Sequence, residues 1–296
     1  MRNYIFLLAF PFLLVSGLRT EAQQSGNSTY GQGYNPVYGK IDTADKLFIT
    51  DSTFIIPASV AINVIADQYV VTFSTVEQAD DVWNCNAKID KRINAFKSEL
   101  NKMGINETDV FVDMTTQNKI YDYKVDSNYA EQYIKGFELQ KNIIIRFAPV
   151  SKLDEIVIAA SNHEIYDLVK VDYIVSDLQA VYAKLFEAAT KVIDQKKTLY
   201  TGATHTTLSP SSSIYGEKMY SFYPGQLYKS YKAYESSDVY GSSLNNYVIK
   251  DLRKSTTFYY DAINYSGFDN VINPAVTEPA VEFALTLQMQ YKIAKK

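Results

Sequence analysis

Residues 169–202 have the sequence VKVDYIVSDLQAVYAKLFEAATKVIDQKKTLYTG, in which the spacing of the apolar residues changes partway. Alternation in the first part predicts a strand, with its apolar positions at Val169, Val171, Tyr173 and Val175. Ser176-Asp177 is typical of a helix start, and spacings of three and four then predict a long helix. The apolar stripe of this helix comprises Leu178, Val181, Leu185, Ala188, Val192 and Leu199. Gly202 is expected just beyond its end.

The same two spacings predict the other elements. Strands are expected at 60–64 and 69–76, as two strands or one bent strand. Further strands are expected at 110–114, 117–125, 137–147 and 281–291, with a polar connection over 126–135. A long helix is expected at 79–103, closed by Gly104, and a short one at 153–160, capped by the Ser151 hydroxyl. The last strand, VEFALTLQMQY, alternates without exception and is therefore expected to be half-buried. The fold class is α+β: mostly antiparallel sheet or sheets with amphipathic helices packed on one face, two long helices and a short one.

Length and composition limit the function classes. The chain has 296 residues, of which 47% are hydrophobic and 21% charged, so it is globular. Its formal charge of −4 gives it no electrostatic reason to bind nucleic acid. No phosphate-binding loop, dinucleotide fingerprint or zinc-protease motif occurs, so no cofactor is predicted.

Few residues are suited to acid–base or metal chemistry. Cys85 is the single cysteine, and it is interpreted either as a packed apolar residue or as a thiol activated by a helix N-terminus. Asp80 and Asp81 would point about 100° apart on a helix, which favours a solvated helix end over a carboxylate pair. His163 and Glu164 could bind a metal only with distant partners. We therefore predict no catalytic, cofactor-binding or metal-binding residues and no enzyme activity.

The N-terminus has the layout of a secretory signal. A basic residue at position 2 precedes an apolar run over 4–18, too short for a bilayer span and interrupted by Pro11. We expect a signal peptide over 1–22, cleaved near Ala22, with an uncleaved anchor as the alternative. Residues 23–44 are expected to form a flexible leader, because they are polar and rich in glycine. The expected location is the periplasm or another extracytoplasmic space.

A tyrosine- and serine-rich stretch at about 204–255 is interpreted as an insertion or long loop region with some local order. Tyrosine offers a large amphipathic contact area, so this stretch suits either a subunit contact or a surface that binds glycan or peptide. The candidate residues for that surface are Tyr220, Tyr223, Tyr228, Tyr231 and Tyr234.

The order of the elements resembles the SIMPL-domain family, which includes periplasmic and outer-membrane immunogenic proteins of Gram-negative bacteria. The resemblance spans about 45–291 and is carried by the segments SVAINVI, YVVTFST, LNKMGI, VFVDM, GFELQKNIIIRF, KLDEIVIAA, VDYIVSD with the long helix after it, and EPAVEFALTLQMQY. Three features depart from the family pattern. The turn after the first strand keeps only Asp67 of a Pro-Asp pair, the long helix has fewer alanines, and the tyrosine-rich stretch is longer.

This resemblance implies a SIMPL-like domain over 45–296 that contains the tyrosine-rich insertion. It also implies an extracytoplasmic protein that forms ring-like homo-oligomers and is loosely associated with envelope or oxidative-stress defence. It supplies no catalytic residues.

Overall fold

The computed structural model describes residues 48–50, 52–126, 129–231 and 257–294. Of these residues, those within 48–229 and 258–294 belong to one compact unit. Residues 230, 231 and 257 belong to a second unit.

The described residues contain four α-helices and eleven strands. The helices are α1 (Val82–Lys102), α2 (Lys152–Asn162), α3 (Leu178–Thr204) and the single turn α4 (Pro224–Leu227), and a 3-10 helix covers Glu107–Asp109. The strands are β1 (Phe48–Ile49), β2 (Thr53–Val64), β3 (Gln68–Ala79), β4 (Val110–Asp126), β5 (Tyr129–Phe147), β6 (Asp167–Ile174), β7 (Leu208–Phe222), β8 (Tyr228–Tyr231), β9 (Thr257–Tyr260), β10 (Asn270–Ile272) and β11 (Val281–Ile293).

Sheet 1 has the strand order β1-β2-β11-β7, and β10 adds to β2 in parallel. The other pairings of this sheet are antiparallel. Helix α3 covers one face, where its stripe of Val181, Leu185 and Ala189 packs on alternate residues of β2 and β11. These paired strands meet in register, with Phe283 opposite Ile62 and Leu285 opposite Val60. One hydrophobic core therefore lies between α3 and sheet 1.

Sheet 2 has the antiparallel order β4-β5-β3-β6. Helices α1 and α2 pack on one face, because the apolar stripe of α1 meets the inward side chains of β3 and β5. Phe73 and Phe96 meet edge to face there, with ring centroids 6.1 Å apart. This second core supports the base of the β4–β5 hairpin.

The predicted α+β class is confirmed, and most elements lie where they were expected. Gly104 takes a left-handed conformation (φ 80°) after α1, as predicted. Gly202 was placed wrongly, because α3 continues to Thr204 and His205 takes the left-handed position (φ 52°) instead. The Ser151 side chain makes no capping hydrogen bond, so that expectation was also wrong.

Three segments differ from the sequence prediction. Residues 129–135, expected in a connection, belong to β5. Residues 208–222, at the start of the tyrosine-rich stretch, form β7 and pair with β11. Strand β11 is not half-buried over 281–287, because both of its faces are covered there.

The expected signal peptide, the leader over 23–44 and most of the stretch 232–256 lie outside the described residues. Among the described residues, no helix is both long enough and apolar enough to cross a bilayer.

Candidate interaction surface

A two-stranded arm extends from sheet 2 at the end of the β4–β5 hairpin. We define the arm as residues 120–126 of β4 and 129–135 of β5. Its register is regular from Tyr121 opposite Ile134 to Asp126 opposite Tyr129. Each of its two strands has seven residues and is about 23 Å long. None of these described arm residues is buried. The arm therefore presents both of its faces to solvent.

The two faces of the arm differ in chemistry. Alternation places Tyr121, Tyr123 and Val125 on one face, with exposed fractions of 50%, 61% and 75%. Their β5 partners on this apolar face are Ile134, Gln132 and Ala130. The opposite face is mostly polar and carries Asp122, Lys124, Asp126, Glu131, Tyr129 and Tyr133. An amphipathic arm with no core beneath it is typical of a contact surface.

Lys135 and Asp122 form an ion pair across the arm, with Nζ and Oδ2 2.9 Å apart. Asp122 Oδ1 also accepts the backbone N–H of Tyr123 at 2.8 Å. The hydrogen bond from Lys135 makes the largest contribution to lowering the pKa of Asp122, and the hydrogen bond from the Tyr123 amide makes the next largest. The hydrogen bond to Asp122 in turn raises the pKa of Lys135. Both groups are therefore charged near neutral pH, and the arm carries fixed charges on its polar face.

Gly136 and a bulge mark the base of the arm. Lys135 is the extra residue of β5 between the pairs Ile120–Gly136 and Tyr121–Ile134. Gly136 is buried, and a Cβ atom there would lie 2.6 Å from the backbone oxygen of Ala79. Only glycine permits this close approach, so Gly136 lets the hairpin leave the sheet beside the end of β3.

The tyrosines predicted to form one surface have different surroundings, and the contacts seen among the described residues do not join them into one patch. Tyr220 is half-buried in β7, stacked on Phe222 and under the ammonium of Lys218 at 4.8 Å. Tyr223 and Tyr228 are about 40% exposed (39% and 41%), and Tyr228 meets the ring of Tyr260 edge to face. Tyr231 is half-buried in the second unit, and Tyr234 lies outside the described residues. A ligand role for these tyrosines stays a prediction.

A buried polar cluster lies on the face of sheet 1 opposite α3. Glu282 is fully buried and accepts hydrogen bonds from the Tyr260 hydroxyl and from the backbone N–H of Ile263 at 3.2 Å. Asn63 Nδ2 donates to the Tyr265 oxygen at 2.6 Å and to the backbone oxygen of Asn273 at 2.7 Å. Burial raises the pKa of Glu282 despite these donors. The cluster holds the residues on both sides of β10 against the sheet, which is a structural role.

A cavity of about 410 Å³ lies at the end of β2, within the size range of small-molecule sites. Asn63 and Asn273 line it together with apolar residues, and Lys184 is its one charged lining residue. A lysine with two amides supplies neither an activated nucleophile nor an acid–base pair.

The residues considered for catalysis have structural partners. Asp81 is the N-cap of α1 and accepts the Asn84 amide at 2.8 Å, as expected of a helix end. His163 Nε2 lies 2.7 Å from Glu99, whereas the neighbouring Glu164 carboxylate lies 3.9 Å from Arg92. The described residues contain no cluster of three or more metal-ligating side chains.

Cys85 packs as an apolar residue, as the packing interpretation predicted, but it is fully buried where a half-buried position was expected. Its thiol donates to the backbone oxygen of Glu77 at 3.0 Å, and burial raises its pKa. A raised pKa disfavours the thiolate, so this position is unsuited to a nucleophile.

The arm was only partly predictable from sequence. The alternation of Tyr121, Tyr123 and Val125 with charged residues predicted a strand there. An alternating pattern does not distinguish a strand on a core from a strand in solvent, so the exposure of both faces was missed.

A comparison with family models matches residues 56–242 to the family described as SIMPL, protein of unknown function (DUF541). The matched range is well over half of the chain and includes α1, α2, α3 and the whole arm. No curated protein matches the chain.

Proposed function

The chain belongs to the SIMPL family, and on this premise we propose that it is an exported, non-enzymatic envelope protein that forms homo-oligomers through its arm. The observation that carries the proposal is the exposed apolar face of the arm, formed by Tyr121, Tyr123 and Val125. Envelope or oxidative-stress defence is the setting that the family resemblance suggests.

The physical stability of a hairpin supports self-association. A two-stranded hairpin without a core is marginally stable in water, and added strands or packing on one face stabilise it. The two strands of the arm are fully paired with each other. Within the described residues of its own unit, the arm has no third strand beside it and no element packed on either face. A second copy of the chain would supply the missing contact.

The chemistry of the remaining candidates supports a non-enzymatic role. Asp81 caps a helix, His163 and Glu164 contact different residues, and Cys85 is buried with a raised pKa. Export is supported by the signal-like layout of residues 1–22, and the expected mature chain begins at Gln23.

The absolute mass of residues 23–296, measured by size-exclusion chromatography with light scattering, tests the proposal. We expect one discrete mass that is a whole-number multiple, two or more, of the mass of a single chain, unchanged on dilution through the micromolar range. A clean monomer at every concentration would contradict it. The tyrosine-rich surface would then become the leading question, tested with glycan and peptide binding screens.

A further inference from the structure

The outer edge of β4 is open. Strand β4 ends the order of sheet 2, and its pairing among the described residues is with β5. The amide of Tyr123 donates to the side chain of Asp122, and we take this backbone group to face the free edge. An edge that presents unpaired backbone groups can pair with another strand.

The sequence of this edge is complementary to itself. When a strand pairs antiparallel with its own copy, a two-fold axis perpendicular to the sheet relates the two strands. Directly opposite residues must lie on the same face of the sheet, and faces alternate along the strand. The axis therefore passes through a residue and not between two residues. An axis at Tyr123 places Asp122 opposite Lys124 of the second copy, and this happens twice by symmetry. It also places Tyr121 opposite Val125, an aromatic and β-branched pair of the kind that stabilises sheets.

Neighbouring registers are unfavourable. Moving the axis to Asp122 places two carboxylates directly opposite each other, and moving it to Lys124 places two ammonium groups opposite. Like charges directly opposite each other destabilise a sheet. Charge therefore disfavours both adjacent registers. A register centred on Val125 would also place Lys124 opposite Asp126, but it lacks the Tyr121–Val125 pair that favours the axis at Tyr123.

We propose that two copies of this chain pair β4 to β4, antiparallel, about a two-fold axis at Tyr123. This inference rests on the proposed function, because it assigns the partner and the register of the same arm. Two arms become one four-stranded sheet, and their apolar faces join into one continuous surface. The Tyr123 amide leaves Oδ1 of Asp122 and bonds to the second copy, which frees that oxygen for Lys124 of the second copy while Oδ2 keeps its ion pair with Lys135.

A charge-swap experiment on the mature chain tests the register. In Asp122→Lys two lysines face each other across the pair, and in Lys124→Asp two aspartates do. Each variant alone should dissociate at about tenfold or more higher concentration than the wild type. An equimolar mixture of the two variants restores every opposite-charge pair, so its association should return towards that of the wild type. Mixed variants that associate no better than the separate ones would overturn the register.

Cysteine cross-linking gives an independent test. Directly paired residues have Cα atoms about 4.5–5.5 Å apart, within the range of a disulfide. Tyr123→Cys should therefore form a covalent dimer rapidly when treated with diamide. Tyr215→Cys on β7 is the matched control, since Tyr215 is 60% exposed and Tyr123 is 61% exposed. The native Cys85 is fully buried and should not react.

The outcomes separate this inference from the proposed function. An oligomeric mass with Tyr123→Cys cross-linking no faster than Tyr215→Cys would overturn the β4 pairing and leave self-association standing. A monomeric mass for the wild type would overturn both.

Discussion

Glu282 illustrates how a single residue can escape a sequence pattern. Strict alternation along β11 predicted it on a solvated face, yet it is fully buried. The segment that carries Tyr260 and Ile263 covers that face and donates hydrogen bonds to the carboxylate. An alternating pattern indicates on which face of the sheet a side chain lies, but it does not indicate what packs on that face. The burial of Glu282 was therefore not predictable from the sequence of β11 alone.

Glu282 should make stability depend on pH in one direction. Its pKa is raised in the folded chain, so its contribution is present below the unfolded pKa and is lost as pH rises through the folded pKa. Asp67, whose pKa is lowered by its hydrogen bonds to Ser176, acts in the opposite direction. The difference between wild type and Glu282→Gln isolates the Glu282 contribution.

We therefore expect the stability of the wild type, relative to Glu282→Gln, to fall as pH rises from about 4 to neutral. Urea unfolding midpoints of both proteins across this range measure it. Glu282→Ala should cost about 1–3 kcal/mol for each buried donor left without an acceptor. A constant difference between wild type and Glu282→Gln at every pH would contradict this account.

At the scale of elements, long periodic segments were predicted well. The buried face of helices α1 and α3 was predicted correctly near the centre of each helix. In α1, for example, Ile89, Ile93 and Phe96 are buried as expected. The ends of α3 were less predictable: Leu178 and Leu199 are 48% and 69% exposed. Strand β7 was missed because five of its 15 residues are serine and most of it is exposed. It is a strand because β11 pairs with it.

Gly136 should be the most sensitive position at the base of the arm. Gly136→Ala would place a methyl group 2.6 Å from the backbone oxygen of Ala79, so we expect a loss of about 1–3 kcal/mol. Gly202→Ala is the matched control, because that position lies inside α3 with nothing within 4 Å. It should gain about 0.5–1 kcal/mol from helix propensity. Thermal unfolding measures both, and equal effects would contradict the proposed role of Gly136.

At the scale of the whole unit, each sheet has its own helical cover: α3 on sheet 1, and α1 with α2 on sheet 2. The arm is the part of sheet 2 that leaves this cover. Sequence predicted the α+β class because the switch between spacings is a local signal. It could not predict the arm's exposure, because that depends on where the helices end relative to the strands.

The central claim is that the arm holds copies of the chain together. The variant Tyr121→Thr, Tyr123→Thr, Val125→Thr removes the apolar face while keeping β-favouring residues at exposed positions. The control variant Ile214→Thr, Tyr215→Thr, Met219→Thr changes residues of β7 that are 53%, 60% and 38% exposed.

The decisive measurement is the light-scattering mass of wild type, arm variant and β7 control at one concentration. We predict a multiple of the chain mass for the wild type and the control, and the mass of one chain for a folded arm variant. An arm variant that keeps the full wild-type mass would contradict the account.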